Sequence, residues 1–220
     1  MVSRPDEPSG RATFLKERID GTMATNAVTP SQEKRDVEAL YALFLTRARA
    51  LGAEVHRVQN PADAGKLIQD LLHRENVRRV AVAGTPIVKS LDIHALVGAA
   101  GAEVTAGNAR EQAEPADLGI SFFEMAIAET GTLVQDATDI NRRLVSMLPP
   151  VHVALAPTTG LVGTLREAID YLAARGEIPG YLAFVSGPSR TADIERVLTI
   201  GVHGPGKVYV IFMDEGGESR

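Results

Sequence analysis

Apolar residues recur at helical spacing from Val37 through Leu40, Tyr41, Phe44 and Ala48 to Leu51, which predicts one buried helix face. Thr29 can cap this helix, Pro30 suits its first turn, and Gln32 completes a T-x-x-Q capping box. Gly52 is placed to end it. The pattern then alternates. "AEVHRV" (53–58) reads as a short strand, and "NPADAGKLIQDLLHREN" (60–76) as a capped helix with Leu67, Ile68, Leu71 and Leu72 on its core face. "VRRVAVAG" is a buried strand, "DIHALVGAAG" a helix and "AEVTAG" a strand. Strands alternating with helices predict a parallel sheet covered on both faces.

The middle is less regular. "DLGISFFEMAIAETGTLVQDA" (117–137) holds two or three short extended or helical pieces around a tight "ETGT" turn. "INRRLVSMLPP" is a short helix stopped by Pro149 and Pro150. "VHVALAP" does not alternate and fits a strand buried on both faces. "TTGLVGTLREAIDYLAARG" reads as a helix, "YLAFVS" as a strand, "TADIERVLTIG" as a helix and "KVYVIFMD" as the last strand. Residues 1–28 are polar and rich in Gly, Pro and Thr. The expected organisation is a mobile tail over 1–28 and a single α/β domain over 29–220.

Composition narrows the function. A formal charge of -5 and a pI of about 5.6 lack the basic footprint of a nucleic-acid binder. A small anionic ligand stays open, because local groups hold it. The chain has no cysteine, so it carries neither a disulfide nor a thiolate-held metal or iron–sulfur cluster. Its five histidines show no H-x-x-x-H, and no metal site is expected. The first residues lack an apolar signal segment, and no apolar run reaches the ~18 residues of a membrane span. A cytoplasmic protein is expected.

"GVHGPGKV" (201–208) imitates a phosphate-binding P-loop, G-x-x-x-x-G-K-[ST]. Gly201, Gly206 and Lys207 fit, but Val208 stands where the hydroxyl belongs. The predicted context is also helix then strand, the reverse of a P-loop. "FVSGPSRTADIE" is the better anion candidate: strand, turn, then an expected helix start. Ser186, Gly187, Ser189, Arg190 and Thr191 form that loop, with Arg190 able to grip a carboxylate or phosphate. The alternative is that Ser189 or Thr191 only caps the helix. The second candidate is Glu129, Thr130, Gly131 and Thr132. Glu129 is either a base, nucleophile or orienting group, or a plain exposed turn residue. Arg142 can meet an anion, Asp136 and Asp139 are weak magnesium candidates, and His152 fits a core position. His203, among glycines, is the acid–base candidate of choice, since an ordinary imidazole titrates near neutrality.

"AIAETGTLV", "RLVSMLPPVHVAL" and "FVSGPSRTADIERVLTIGVHGPGKVYVIFMDE" together resemble the LUD domain family, to which lactate utilization protein C belongs. The resemblance runs over roughly residues 35–215 and is most specific in the last third. It implies a three-layer α/β/α sandwich with a mostly parallel, Rossmann-like sheet, similar to the sugar-phosphate isomerase and CoA-transferase superfamily. It also implies a part in bacterial oxidation of L-lactate to pyruvate, beside iron–sulfur partner proteins. The missing cysteines fit such a division, with clusters in the partners and none in this chain. The resemblance marks the ETGT and SGPSRTADIE positions as family motif residues and assigns no catalytic set, so Glu129 and His203 stay catalytic candidates on their residue chemistry alone. The alternatives are a non-catalytic assembly or regulatory subunit of that system, or an independent enzyme acting on a CoA thioester or sugar phosphate.

Overall fold

The computed structural model describes residues 30–83, 91–174, 179–191, 199–201 and 203–214. The tail expected over 1–28 and the cap expected at Thr29 lie outside them. The first helix, α1 (Pro30–Ala50), buries Phe44 and Ala48 as its spacing requires. Phe44 and Tyr41 meet Phe212 edge-on, at centroid distances of 5.0 and 5.7 Å. After β1 (Glu54–Val58), Asn60 opens α2 (Pro61–Arg74) by accepting from the Asp63 amide at 3.0 Å. Ile68, Leu71 and Leu72 face the core. Then follow β2 (Arg79–Val82), α3 (Ile93–Ala99), β3 (Glu103–Val104), α4 (Ala109–Ala113) and β4 (Leu118–Phe122).

The less regular middle resolves into β5 (Met125–Ile127), β6 (Thr132–Asp136), α5 (Ile140–Met147) and β7 (Val151–Pro157). A 3₁₀ turn (Thr158–Gly160), β8 (Leu161–Val162), α6 (Leu165–Ala174) and β9 (Leu182–Val185) come next. The chain closes with β10 (Arg190–Thr191), β11 (Thr199–Ile200) and β12 (Lys207–Met213).

Six strands form a wholly parallel sheet in the order β1-β12-β7-β4-β2-β3. Every residue of β7 is buried, which explains why apolar residues occupy it without alternation, His152 aside. Val153 and Leu155 of β7, with Ile211 and Met213 of β12, pack under α2 and α3. Ala154, Ala156, Val210 and Phe212 point the other way, toward α1. That second face is also covered by α4 and α5, and by a four-stranded sheet ordered β8-β5-β6-β9. The α/β class with helices on both faces of a parallel sheet is as expected. Among the described residues no helix is long and apolar enough to cross a membrane.

Three local expectations differ. The helix expected from Thr158 begins only at Leu165. The Glu167 amide donates to Thr164 Oγ1 (3.1 Å) and the Gly163 amide to Glu167 Oε2 (2.9 Å), a reciprocal cap that fixes the start there. The strand in "YLAFVS" does not join the parallel sheet. β9 pairs antiparallel with β6, so one expected sheet is in fact two. Thr191, expected as the first residue of a helix, is extended instead. Arg190 and Thr191 are extended and pair antiparallel with Ile200 and Thr199. The Ser189 amide donates to the Pro205 carbonyl, and the Gly201 amide to the Ser189 carbonyl, both at 2.9 Å. These bonds close a hairpin neck across the loop. Residues 192–198 lie outside the described residues.

Candidate functional site

The connection leaving β2 turns outward to β3, whereas the one leaving β4 turns the opposite way toward β7. β2 and β4 are neighbours, so the topological switch point of the sheet falls at their C-terminal ends, the place where open α/β sheets generally hold ligands. β4 ends there at Phe122. Its carbonyl accepts from Gln135 Nε2 and from Arg142 Nη2, each at 2.9 Å. Arg142 Nη2 also pairs closely with Glu124 Oε1. The other Glu124 oxygen accepts from the Asp136 amide at 3.2 Å.

Each group is placed by its element. Gln135 comes from β6 and is fully buried; Arg142 comes from the first turn of α5, its side chain 14% exposed. Asp139 caps α5 by accepting from the Asn141 amide (2.9 Å). Asp136 accepts from the Thr138 amide (2.9 Å). Both aspartates therefore serve the turn into α5, and no group of three metal-ligating side chains occurs among the described residues. Gly119 lets α5 lie directly on β4, since a Cβ there would sit 2.2 Å from the Val145 carbonyl oxygen. The Arg143 guanidinium stacks over Tyr181 at 4.5 Å.

Four buried polar atoms of β6 and α5 have no partner among the described residues: Gln135 Oε1, Asn141 Oδ1, Arg142 Nε and Arg143 Nε. Leaving such atoms unpaired costs about 1–3 kcal/mol each. Cationic donors and neutral acceptors thus lie near the C-terminal end of β4. By contrast, the groove of about 460 Å³ between α2 and α3 has mainly apolar walls, and its Lys66 turns to Asp63 at 3.2 Å.

The sequence motifs lie at the other end, where the parallel strands begin. The Thr132 and Ser186 hydroxyls meet at 2.7 Å, so the structure does bring the two motif loops together. They gather around the C-terminus of α1. Gly131 (φ +65°) sits so close that a Cβ would lie 2.5 Å from the Ala48 nitrogen. Gly187 (φ +100°) faces the Leu51 carbonyl, to which Arg190 Nη2 donates at 2.6 Å. Arg190 thereby holds a helix-end carbonyl, the favourable place for a cation. Ser189 belongs to the hairpin neck, Thr130 is exposed at its turn, and His203 is exposed beside Gly204. Arg142 is apart from all of these. The P-loop imitation is part of the same end: Lys207 starts β12 and its Nζ pairs with Glu75 at 2.6 Å.

Glu129 has a structural task. Its Oε1 accepts from the Leu165 amide at 2.6 Å, serving the first turn of α6. Glu129→Ala is expected to cost about 1 kcal/mol, roughly 2–4 °C in thermal midpoint. Glu129→Gln retains an acceptor and should lose less; thermal unfolding of both variants checks this.

Glu124 and Gln135 escaped the sequence reading. The signals were present: a carboxylate two residues past a buried strand in "GISFFE", and a lone amide inside the apolar run "TLVQDA". His152 is a core residue as expected, with Nε2 2.8 Å from Ser121 Oγ.

Comparison with known proteins agrees with the fold. The chain is 42% identical over 108 residues to lactate utilization protein C of Shouchella clausii, covering 48% of this chain and 47% of that protein. With lactate utilization protein C of Bacillus subtilis it shares 37% over 109 residues, 48% of this chain and 45% of that one. The chain thus matches about half the length of these curated relatives. A crystal structure of a DUF162 family protein from Deinococcus radiodurans superposes with a TM-score of 0.56 at 25% identity, covering 80% of this chain and 98% of that one. The LUD domain model matches residues 41–213, which include both sheets and both ends described above, and the chain belongs to the LUD domain family.

Proposed function

We propose that this chain is a component of bacterial L-lactate utilization and that it holds a small carboxylate at the C-terminal end of β4. The names of its relatives supply the biological setting. The observation that carries the ligand reading is Arg142, a mostly buried cation at the topological switch point, with its Nε unpaired and a carboxylate, Glu124, already on its Nη2. A ligand carboxylate takes the place that Glu124 occupies. Of the two arginines the sequence offers, Arg142 suits this task, while Arg190 is exposed and bonded to Leu51. The motif loops then serve as a clamp on α1, and Glu129 and His203 are relieved of catalytic duty. Without cysteine, this chain leaves any iron–sulfur chemistry of the system to partner proteins.

Titration calorimetry with L-lactate and pyruvate tests the reading. Arg142→Ala is expected to weaken binding by about ten- to a hundredfold, the worth of one charge-assisted contact. Arg190→Ala should leave affinity unchanged. Arg142→Lys keeps the charge and checks that any loss is not misfolding. No binding of either acid by the wild-type chain, or loss on Arg190→Ala instead, overturns this site.

A further inference from the structure

We infer that the free edge of β9 docks a second copy of this chain, and that the two β9 strands pair antiparallel about a two-fold axis at Ala183. This surface is separate from the carboxylate site proposed above, so neither reading depends on the other.

The outer strands of the two larger sheets are β1 and β3, and β8 and β9. An outer strand carries unpaired backbone groups, which proteins commonly guard with charge or shortness. β1 carries Glu54, His56 and Arg57; β3 and β8 are two residues each. β9 has neither guard. It is four residues long, and "GYLAFVSG" (180–187) around it holds no charge and no proline. Its aromatics stand open, Tyr181 at 51% exposure and Phe184 at 44%.

The register of β9 on β6 determines what the free edge accepts. The Ala137 amide donates to the Tyr181 carbonyl at 2.9 Å, one step beyond the Asp136–Leu182 pair. Bonded pairs alternate along an antiparallel ladder, so Tyr181, Ala183 and Val185 direct their backbone groups to β6. Leu182 and Phe184 turn theirs outward, where they have no backbone partner among the described residues. A second β9, related by a two-fold axis at Ala183, meets these groups one for one. Leu182 of each copy faces Phe184 of the other and exchanges two hydrogen bonds with it. Tyr181 faces Val185 in the same way, without bonds. Ala183 faces its own counterpart on the axis, and its small side chain suits the close approach of a non-bonded pair. Every facing pair is apolar, and no like charges meet. An isologous contact requires this self-complementarity, and β9 has it in its own sequence.

The contact is small. Two half-exposed aromatics from each copy contribute roughly 400 Å² together. Even with the strand edges this falls below the ~1,200 Å² of stable assemblies. The dimer is therefore weak and concentration-dependent.

Sedimentation equilibrium of the full chain should show monomer–dimer exchange with a Kd between about 1 μM and 1 mM. Phe184→Lys guards the edge with a charge and should weaken association about tenfold or more. The natural chain has no cysteine, so Ala183→Cys sets a single thiol on the axis. Its counterpart would lie at a Cα separation of about 4.5 Å, which suits a disulfide. Under a mild oxidant this variant should link copies about tenfold faster or more than Ile169→Cys, an exposed position on α6. The cross-link test stands even where Phe184→Lys does not fold. A chain that stays monomeric up to about 1 mM overturns the inference. A dimer that folded Phe184→Lys leaves at full strength, or one in which Ala183→Cys links no faster than Ile169→Cys, places the contact elsewhere and overturns it too.

Discussion

Gly119→Ala is expected to lower stability by about 3 kcal/mol or more, well above an ordinary surface change. The added Cβ would stand 2.2 Å from the Val145 carbonyl oxygen and 3.2 Å from its carbon. The obstacle is backbone, so no rotamer change relieves it. Either β4 moves, which its neighbours β2 and β7 resist, or α5 lifts. For a domain of this size the loss is about 6–12 °C in thermal midpoint. It should also reach the proposed carboxylate site. α5 carries Arg142, and a lifted α5 draws the guanidinium away from Phe122 and Glu124. Lactate binding should therefore weaken even at temperatures where the variant stays folded. Gly98→Ala is the control. It lies inside α3 with nothing within 4 Å of its added Cβ, and should raise stability by up to about 1 kcal/mol. Thermal unfolding of the two variants decides. A Gly119→Ala midpoint within about 2 °C of wild type would show that α5 yields freely, against the close-packing argument.

The contrast between the two ends of the sheet explains what was legible in the sequence. Helical spacing fixed α1 and α2 because each apolar stripe meets a large core, one on either face of the parallel sheet. β7 was legible because a strand buried on both faces is apolar throughout except for His152. The second sheet was not. β5, β8 and β9 are three, two and four residues long, and period-2 patterns that short carry little signal. At the SGPSR loop, Gly-Pro followed by Ser and Thr suits a helix start at Thr191, yet Arg190 and Thr191 are extended. Long-range bonds joining Ser189 to Pro205 and Gly201 hold them so, and local sequence does not encode those bonds; residues 192–198 of the expected helix lie outside the described residues. The motifs drew attention to Glu129 and Arg190, yet both bond to helix-end backbone. Glu124 and Gln135 are brought to Arg142 by pairing between sheets, separated from it by 18 and 7 positions along the chain. Only the fold shows that convergence.

Stability is expected to fall by about 3 kcal/mol as pH drops from 6.5 to 4, with His152 as the cause. The ring is fully buried on β7, with Nε2 bonded to Ser121 and Nδ1 without a partner among the described residues. Phe123 lies beside it at 5.8 Å between centroids. Burial holds its pKa down at about 4, against 6.5 ordinarily. An imidazolium would need two acceptors, and this layer supplies at most one. The folded pKa is therefore the lower one, and the unfolded chain takes up the proton first. The stabilising contribution is complete above pH 6.5, shrinks as pH falls through the interval, and is gone below about 4. Carboxylates act in a lower window. For Glu75, burial raises the pKa, but bonds from Lys207 and Tyr209 outweigh it and leave the net value below 4.5. Its contribution is lost only below that pH. His152→Gln can keep a bond to Ser121 but cannot titrate. Its thermal midpoint should stay nearly level from pH 6.5 to 4.5, while the wild type loses several degrees over the same range. Parallel curves for the two proteins would remove His152 as the source of the acid sensitivity. A wild-type midpoint that does not fall at all would mean that Ser121 and the surrounding core accommodate the imidazolium.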